Sequence, residues 1–306
     1  MQVIEPTKLL FVADDWLRRC AEGGQMKWQG RRASRNIEDR RRRPGGRAGG
    51  MGAGAVIVLL LVGYFFGVDV TPLLQDTAPA PTSGPVELTE ADRQAGEFAA
   101  VTLADTETVW AEIFREQVGE TYEPVTLVLF KSATQSACGG ASGATGPFYC
   151  PADKKAYLDT AFFTTLSRRL GASGDFAAAY VIAHEVAHYV QDRLGILGQA
   201  NRIRAQVSEA ESNAISVRIE LQADCFSGVW ARYAEERLNT LERGDLNEAI
   251  NAARQIGDDT LQANAGRRPM PHTFTHGTSA QRQRWFKTGY DTASLEDCDT
   301  FGADRL

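Results

Sequence analysis

The chain has 306 residues, 43% hydrophobic and 24% charged, which excludes a disordered or low-complexity protein and leaves room for a proper core. Its net charge of −6 hides an uneven distribution. Residues 27–47 hold Lys27 and eight arginines against Glu38 and Asp39, a balance of +7, so the remainder carries −13.

Residues 1–25 have no helical or strand period, and Cys20 has no evident partner. Met26 opens what reads as a purposeful amino terminus, Lys27-Trp28-Gln29-Gly30-Arg31-Arg32. Translation is therefore expected to start at Met26, with 1–25 a misassigned or disordered extension. Residues 26–47 form a basic segment. From Ala48 to Val68 no charge appears, and about 20 apolar residues suffice for one pass through the hydrocarbon layer. Arginines ahead of such a span stay in the cytoplasm, so the cluster reads as topological rather than as a nucleic-acid site. The expected topology is a single pass at 48–68 in the cytoplasmic membrane, amino terminus inside, with the rest of the chain outside the cytoplasm. Ala78-Pro79-Ala80 has the small-x-small form of a cleavage site, but it lies well beyond the apolar run and Pro81 follows it, so an uncleaved anchor is preferred. Residues 69–87 form a proline-rich spacer.

The body, 88–306, is expected to be one domain. Thr89-Glu90-Ala91-Asp92 opens a long helix running through Phe114. Val125 to Phe130 is β-branched and apolar, hence a buried strand, and glycine-rich Ser136–Gly146 is read as a loop. Phe148-Tyr149-Cys150 and Ala156 to Asp159 form a hairpin, and the strand around Tyr157 is a candidate edge for an extended peptide. A buried helix spans Phe176 to Val190, capped by Ser173 or Asp175 and stopped by Gly195. A second runs from about Ser212 to Leu238, and the end of the chain is helical around Ser279–Phe286.

The first buried helix carries His184-Glu185-Val186-Ala187-His188. Residues four apart share a helical face, so both histidines can hold one metal ion, and Glu185 stands where a carboxylate reaches an attacking water. A zinc hydrolase takes three protein ligands and keeps one position open. The second helix supplies Glu220 and Asp224, also four apart on an apolar face, where two carboxylates repel unless a cation or donors meet them. Glu220 as third ligand, with Asp224 taking the outer N–H of a ligating histidine, satisfies both. For a donor to the oxyanion, His276 is the first choice, followed by Tyr189 and His272; the alternative is that Thr278 or Ser279 caps a helix and His276 merely packs.

Four cysteines remain in the body, and outside the cytoplasm an even count points to disulfides, with three possible connectivities. The local bridge Cys138–Cys150 is favoured, leaving Cys225–Cys298 to clamp the tail to the second helix. Free buried thiols are the alternative.

The pair H-E-x-x-H and E-x-x-x-D resembles the gluzincin arrangement of metallopeptidases. In finer detail the chain resembles a bacterial family of membrane-anchored neutral zinc metallopeptidases. The likeness rests on Lys27 to Arg32, Glu38 to Arg41, Ser136 to Gly139, Gly146 to Pro151, Tyr157 to Asp159, the His184 helix, Glu220 to Trp230, and Thr275 to Phe286. It runs from Met26 to about Phe301. The resemblance implies an α+β, predominantly helical zincin-like domain with a small sheet, binding one Zn2+ through His184, His188 and Glu220. Glu185 matches the general base and Asp224 the acid that orients His184. The expected activity is hydrolysis of peptide or protein substrates. A catalytically silent envelope binding or scaffold protein, or a zinc amidase, are the rival readings.

Overall fold

The computed structural model describes residues 26–42, 87–142 and 145–306. In chain order these form β1 (Ile37–Asp39), α1 (Glu90–Ile113), β2 (Thr126–Phe130), β3 (Ala133–Ser136), β4 (Gly139–Ser142), β5 (Phe148–Cys150) and β6 (Lys155–Asp159). The helices α2 (Phe162–Arg168), α3 (Asp175–Arg193), α4 (Ile196–Arg204), α5 (Glu209–Tyr233), α6 (Asp245–Gln255), α7 (Asp258–Asn264) and α8 (Ser279–Thr292) follow. The α+β, mainly helical expectation holds.

Helix α1 starts where the sequence places it. Thr89 accepts from the Asp92 amide while the Asp92 carboxylate takes the Thr89 N–H, a reciprocal cap. Ser208 and Glu211 repeat the device at the start of α5, and Thr278 and Gln281 at α8. Helix α3 departs from expectation. Neither Ser173 nor Asp175 caps it; Gly174 is the N-cap, and Glu248 of α6 reaches across to accept the Phe176 amide at 3.1 Å. Gly195, with φ 76°, stops α3 as expected.

Helices α3, α5 and α8 form the heart of the core. Gly228 of α5 and Gly289 of α8 let two backbones touch: a Cβ on Gly289 would fall 1.9 Å from the Cys225 carbonyl oxygen. Cys225–Cys298 then ties the tail to α5, and Cys138–Cys150 ties β5 to the turn joining β3 and β4, with Cα separations of 5.6 and 5.8 Å. Part of the expected glycine-rich loop is thus β-structure, because Ala133–Ser136 pairs antiparallel with Gly139–Ser142.

The main sheet has the order β1-β2-β6-β5. The hairpin of β5 and β6 is as expected. However, β6 is flanked on both sides, so the strand around Tyr157 is no edge; β5 is. The other edge is β1, which pairs parallel with β2, Ile37 opposite Leu127.

That pairing corrects the expected topology. Residues 26–42 are built into the same body as 87–306. Met26 is buried in the main core and the Trp28 ring meets Phe98 edge-on at 5.5 Å. Arg31 pairs with Asp105 at 2.8 Å, Arg32 with Glu107 at 3.1 Å, and Arg41 lies over Gly96. Four arginines read as topological charge are therefore paired with acidic side chains, Arg31 and Arg32 with α1 and Arg40 and Arg41 with Glu38 and Asp39 of β1. A single crossing by 48–68 would leave the two pieces on opposite faces of a membrane, which an inter-strand ladder forbids. Residues 48–68 lie outside the described residues. Among the described residues no helix is long and apolar enough to cross a membrane.

Candidate metal centre

Helix α3 presents His184, Glu185 and His188 to α5, which presents Glu220 and Asp224. The imidazoles of His184 and His188 stand 4.7 Å apart by ring centroid. Nε2 of His184 is 3.1 Å from Glu220 Oε2, and Nε2 of His188 is 3.4 Å from Glu220 Oε1. One donor atom from each residue lies within 4.8 Å of the others. Sequence spacing placed the histidines on one face; the packing of α3 on α5 adds the carboxylate.

Each outer ring nitrogen faces an acceptor. Nδ1 of His184 lies 3.0 Å from Asp224 Oδ1, close but poorly aligned for a hydrogen bond. Nδ1 of His188 lies 2.9 Å from Gln191 Oε1. Gln191 is itself fixed to α5, donating to the Ile219 carbonyl at 2.8 Å and to Gln222 at 3.0 Å. With acceptors at both Nδ1 atoms, the lone pairs are left on Nε2, facing Glu220. Two imidazole nitrogens and one carboxylate are a donor set that suits zinc with a position to spare.

The electrostatics ask for a cation. Burial opposes charge on His184, yet Asp224 and Glu220 beside it hold its pKa up at about 9. Burial also opposes charge on Glu220, but His188 and His184 keep its pKa well below the usual carboxylate range. Glu185 differs: burial raises its pKa, only partly opposed by the two histidines.

Beneath His184 lies a network that the sequence reading missed. Arg282 of α8 grips Asp224 with two prongs, Nε to Oδ2 at 2.7 Å and Nη2 to Oδ1 at 2.9 Å. Tyr180 donates to the same carboxylate. Four of the eight residues from Ser279 to Phe286 are buried, Arg282 among them, but nothing in the sequence separated it from Arg284. Gln191 stands one turn after His188 on the same helix, an i,i+3 spacing that could have announced it.

His276 is brought to the Glu220 side of the site. Asp258, at the start of α7, approaches His276 Nδ1 at 3.1 Å and accepts the backbone amides of Thr275, His276 and Gly277. Gly277 seats this turn on α5, where a Cβ would already crowd Val217 and Leu221. Burial lowers the His276 pKa, but Asp258 and Glu220 more than offset it. Thr278 does cap α8, as the alternative held, while Asp258 holds His276 independently of that cap. The other two candidates are less suited. The Tyr189 hydroxyl is committed to the Glu123 carbonyl at 2.7 Å, and His272 sits exposed on a short 3-10 turn.

A family described as “Putative neutral zinc metallopeptidase” matches residues 26–301. The uncharacterized protein YpfJ of Escherichia coli (strain K12) is 44% identical over 286 residues, spanning 90% of this chain and 99% of that protein. The uncharacterized proteins Mb2605 of Mycobacterium bovis and Rv2575 of Mycobacterium tuberculosis are 46% identical over 188 residues, 58% of this chain and 62% of each relative. No solved structure matches the chain.

Proposed function

The chain belongs to the neutral zinc metallopeptidase family, and from that premise we propose that it hydrolyses peptide bonds, with His184, His188 and Glu220 holding one zinc ion. The observation that carries this reading is the convergence of those three donors beside Glu185. A zinc ion held there would supply Lewis acidity, enough to lower the pKa of a water and polarise a scissile carbonyl.

The protein's own groups do the rest. Glu185 takes the proton of the attacking water and passes it to the leaving amine, a role that its burial-raised pKa suits. His276, oriented through Nδ1 by Asp258, offers its other N–H to the developing oxyanion. Asp224 and Gln191 hold the two ligating imidazoles in place. The edge left open for an extended substrate is β5, which lies against α3 through Tyr149, whose hydroxyl donates to Asp192 at 2.9 Å.

Action outside the cytoplasm is part of the proposal. Two disulfides in the body support an oxidising compartment. A membrane contact through 48–68 remains part of it only in a form that leaves both flanks on one face.

The test is cleavage of an unfolded protein substrate by the purified chain, with metal analysis. Stoichiometric zinc, loss of activity in chelator, and a Glu185→Gln variant that keeps zinc but loses cleavage are expected. Chelator-insensitive cleavage, or a purified protein without zinc, would overturn the reading.

A further inference from the structure

Some distance from the metal centre, a second acidic group is buried without a cation. Asp175 at the start of α3, and Asp245 and Glu248 on α6, each offer an oxygen within 4.8 Å of the others. Asp175 is 3% exposed and Asp245 0%. Among the described residues no lysine or arginine pairs with any of the three; what acts on them is burial, backbone amides and other carboxylates. Two oxygens, Asp175 Oδ2 and Asp245 Oδ1, are buried with no hydrogen-bond partner at all. Buried carboxylates left in this way are costly, so a cation is expected among them.

The chain brings one nitrogen there. The backbone nitrogen of Met26 lies 3.2 Å from Asp175 Oδ1. Its position is fixed from the other side: the Met26 side chain is 2% exposed in the main core, and the Lys27 amide donates to the Thr240 carbonyl at 2.8 Å. As part of a peptide bond this nitrogen supplies one hydrogen and no charge. As an α-ammonium it supplies three hydrogens and a positive charge, and the carboxylate it already meets, Asp175, has its other oxygen buried without a partner.

We propose that Asp175, Asp245 and Glu248 form a socket for a free α-ammonium on Met26, so that the folded protein begins at that residue. The socket recognises both ends of the residue, the amine through carboxylates and the thioether side chain through the core. It also explains why Glu248 crosses to the start of α3, where any side chain at Gly174 would strike its carboxyl group. The pKa values agree in direction: next to a neutral peptide nitrogen, burial pushes Asp175 to about 6 and Asp245 and Glu248 to about 7. The proposal does not depend on the peptidase reading.

A free amine at Met26 arises either by initiation there or by hydrolysis of the Gln25–Met26 bond, in which water leaves a carboxylate on Gln25 and an amine on Met26. The experiment is intact mass and amino-terminal sequencing of the protein expressed from the full reading frame. An unblocked Met26 terminus is expected, and removing the Met1 codon tells the two sources apart: the product persists with initiation and disappears with cleavage. A folded product that retains Gln25 overturns the proposal. The second measurement compares protein starting at Met26 with protein carrying an irremovable Gly-Ser ahead of it. The extended form should melt on the order of 5 °C lower. Asp175→Asn should destabilise the Met26 form and leave the extended form nearly unchanged. Equal effects in both forms overturn the socket, as does a Tm rise of the Met26 form with Ca2+ or Mg2+ alone that Asp175→Asn abolishes, since the site would then be a metal site.

Discussion

Asp224 of α5 and Arg282 of α8 form a two-pronged ion pair closed off from solvent, 0% and 2% exposed, directly under the His184 ring. Removing one partner of such a pair costs more than the pair contributes, because the other is left charged and dry. Arg282→Met is expected to lower stability by about 3–5 kcal/mol in denaturant titrations. Arg282→Lys should recover little, since an ammonium cannot reproduce the fork. Asp224→Asn should weaken zinc binding about 10–100-fold in chelator competition.

Asp258 and His276 give a prediction on rate. His276→Ala should lower kcat on the order of 10²–10³-fold, with KM little changed, if the imidazole meets only the oxyanion. Asp258 holds the His276 pKa up. Asp258→Asn should therefore move the alkaline limb of the rate profile to lower pH, since the protonated ring survives over a narrower range. An unmoved limb would remove His276 from the proposed role.

Gly289 tests the contact between α5 and α8. Glycine to alanine inside a helix ordinarily gains about 1 kcal/mol. Here the added Cβ would meet the Cys225 carbonyl, so Gly289→Ala should instead destabilise by about 3 kcal/mol and loosen zinc binding as Arg282 is drawn off Asp224.

The acidic socket predicts a dependence of stability on pH. With a residue ahead of Met26, Asp175, Asp245 and Glu248 titrate at about 6, 7 and 7 when folded, above their ordinary values of 3.8, 3.8 and 4.5. The folded state then holds more protons than the unfolded one between those limits. Its stability is fully present below pH 4 and is lost as pH climbs through 6 and 7. Glu242, the further carboxylate acting on Asp245, is paired with Lys27 at 3.1 Å. Thermal melts from pH 4 to 8 should show a fall for the extended form and a flatter profile for protein starting at Met26.

The position of β1 predicts topology. Cysteines introduced at exposed Gln29 and Asp304 should react alike with an impermeant maleimide in intact cells, both labelled or both protected. Opposite behaviour would mean that β1 is not paired with β2 in the native membrane.

Much of the site was legible in the sequence because a helix converts spacing into direction. His184, Glu185 and His188 had to share a face of one buried helix, and Glu220 and Asp224 a face of another. Capping chemistry marked the starts of α1 and α8 for the same reason, since each cap is satisfied within four residues, whereas α5 starts at Glu209 behind a Ser208 cap, ahead of the Ser212 start expected. What the sequence could not state was which elements meet. Arg282 and Asp258 act across gaps of 58 and 18 residues, and Gln191, though one turn from His188, is anchored to Gln222 31 residues away, and no local pattern carries those pairings. Arg31, Arg32, Arg40 and Arg41 were misread on the same ground. A run of like charge beside an apolar stretch looks topological until the carboxylates that neutralise it are seen, Asp105 and Glu107 on α1 and Glu38 and Asp39 on β1. Local periodicity put the candidate ligands on the faces of two helices. Long-range packing brought them together and oriented them, and it joined residues 26–42 to the body.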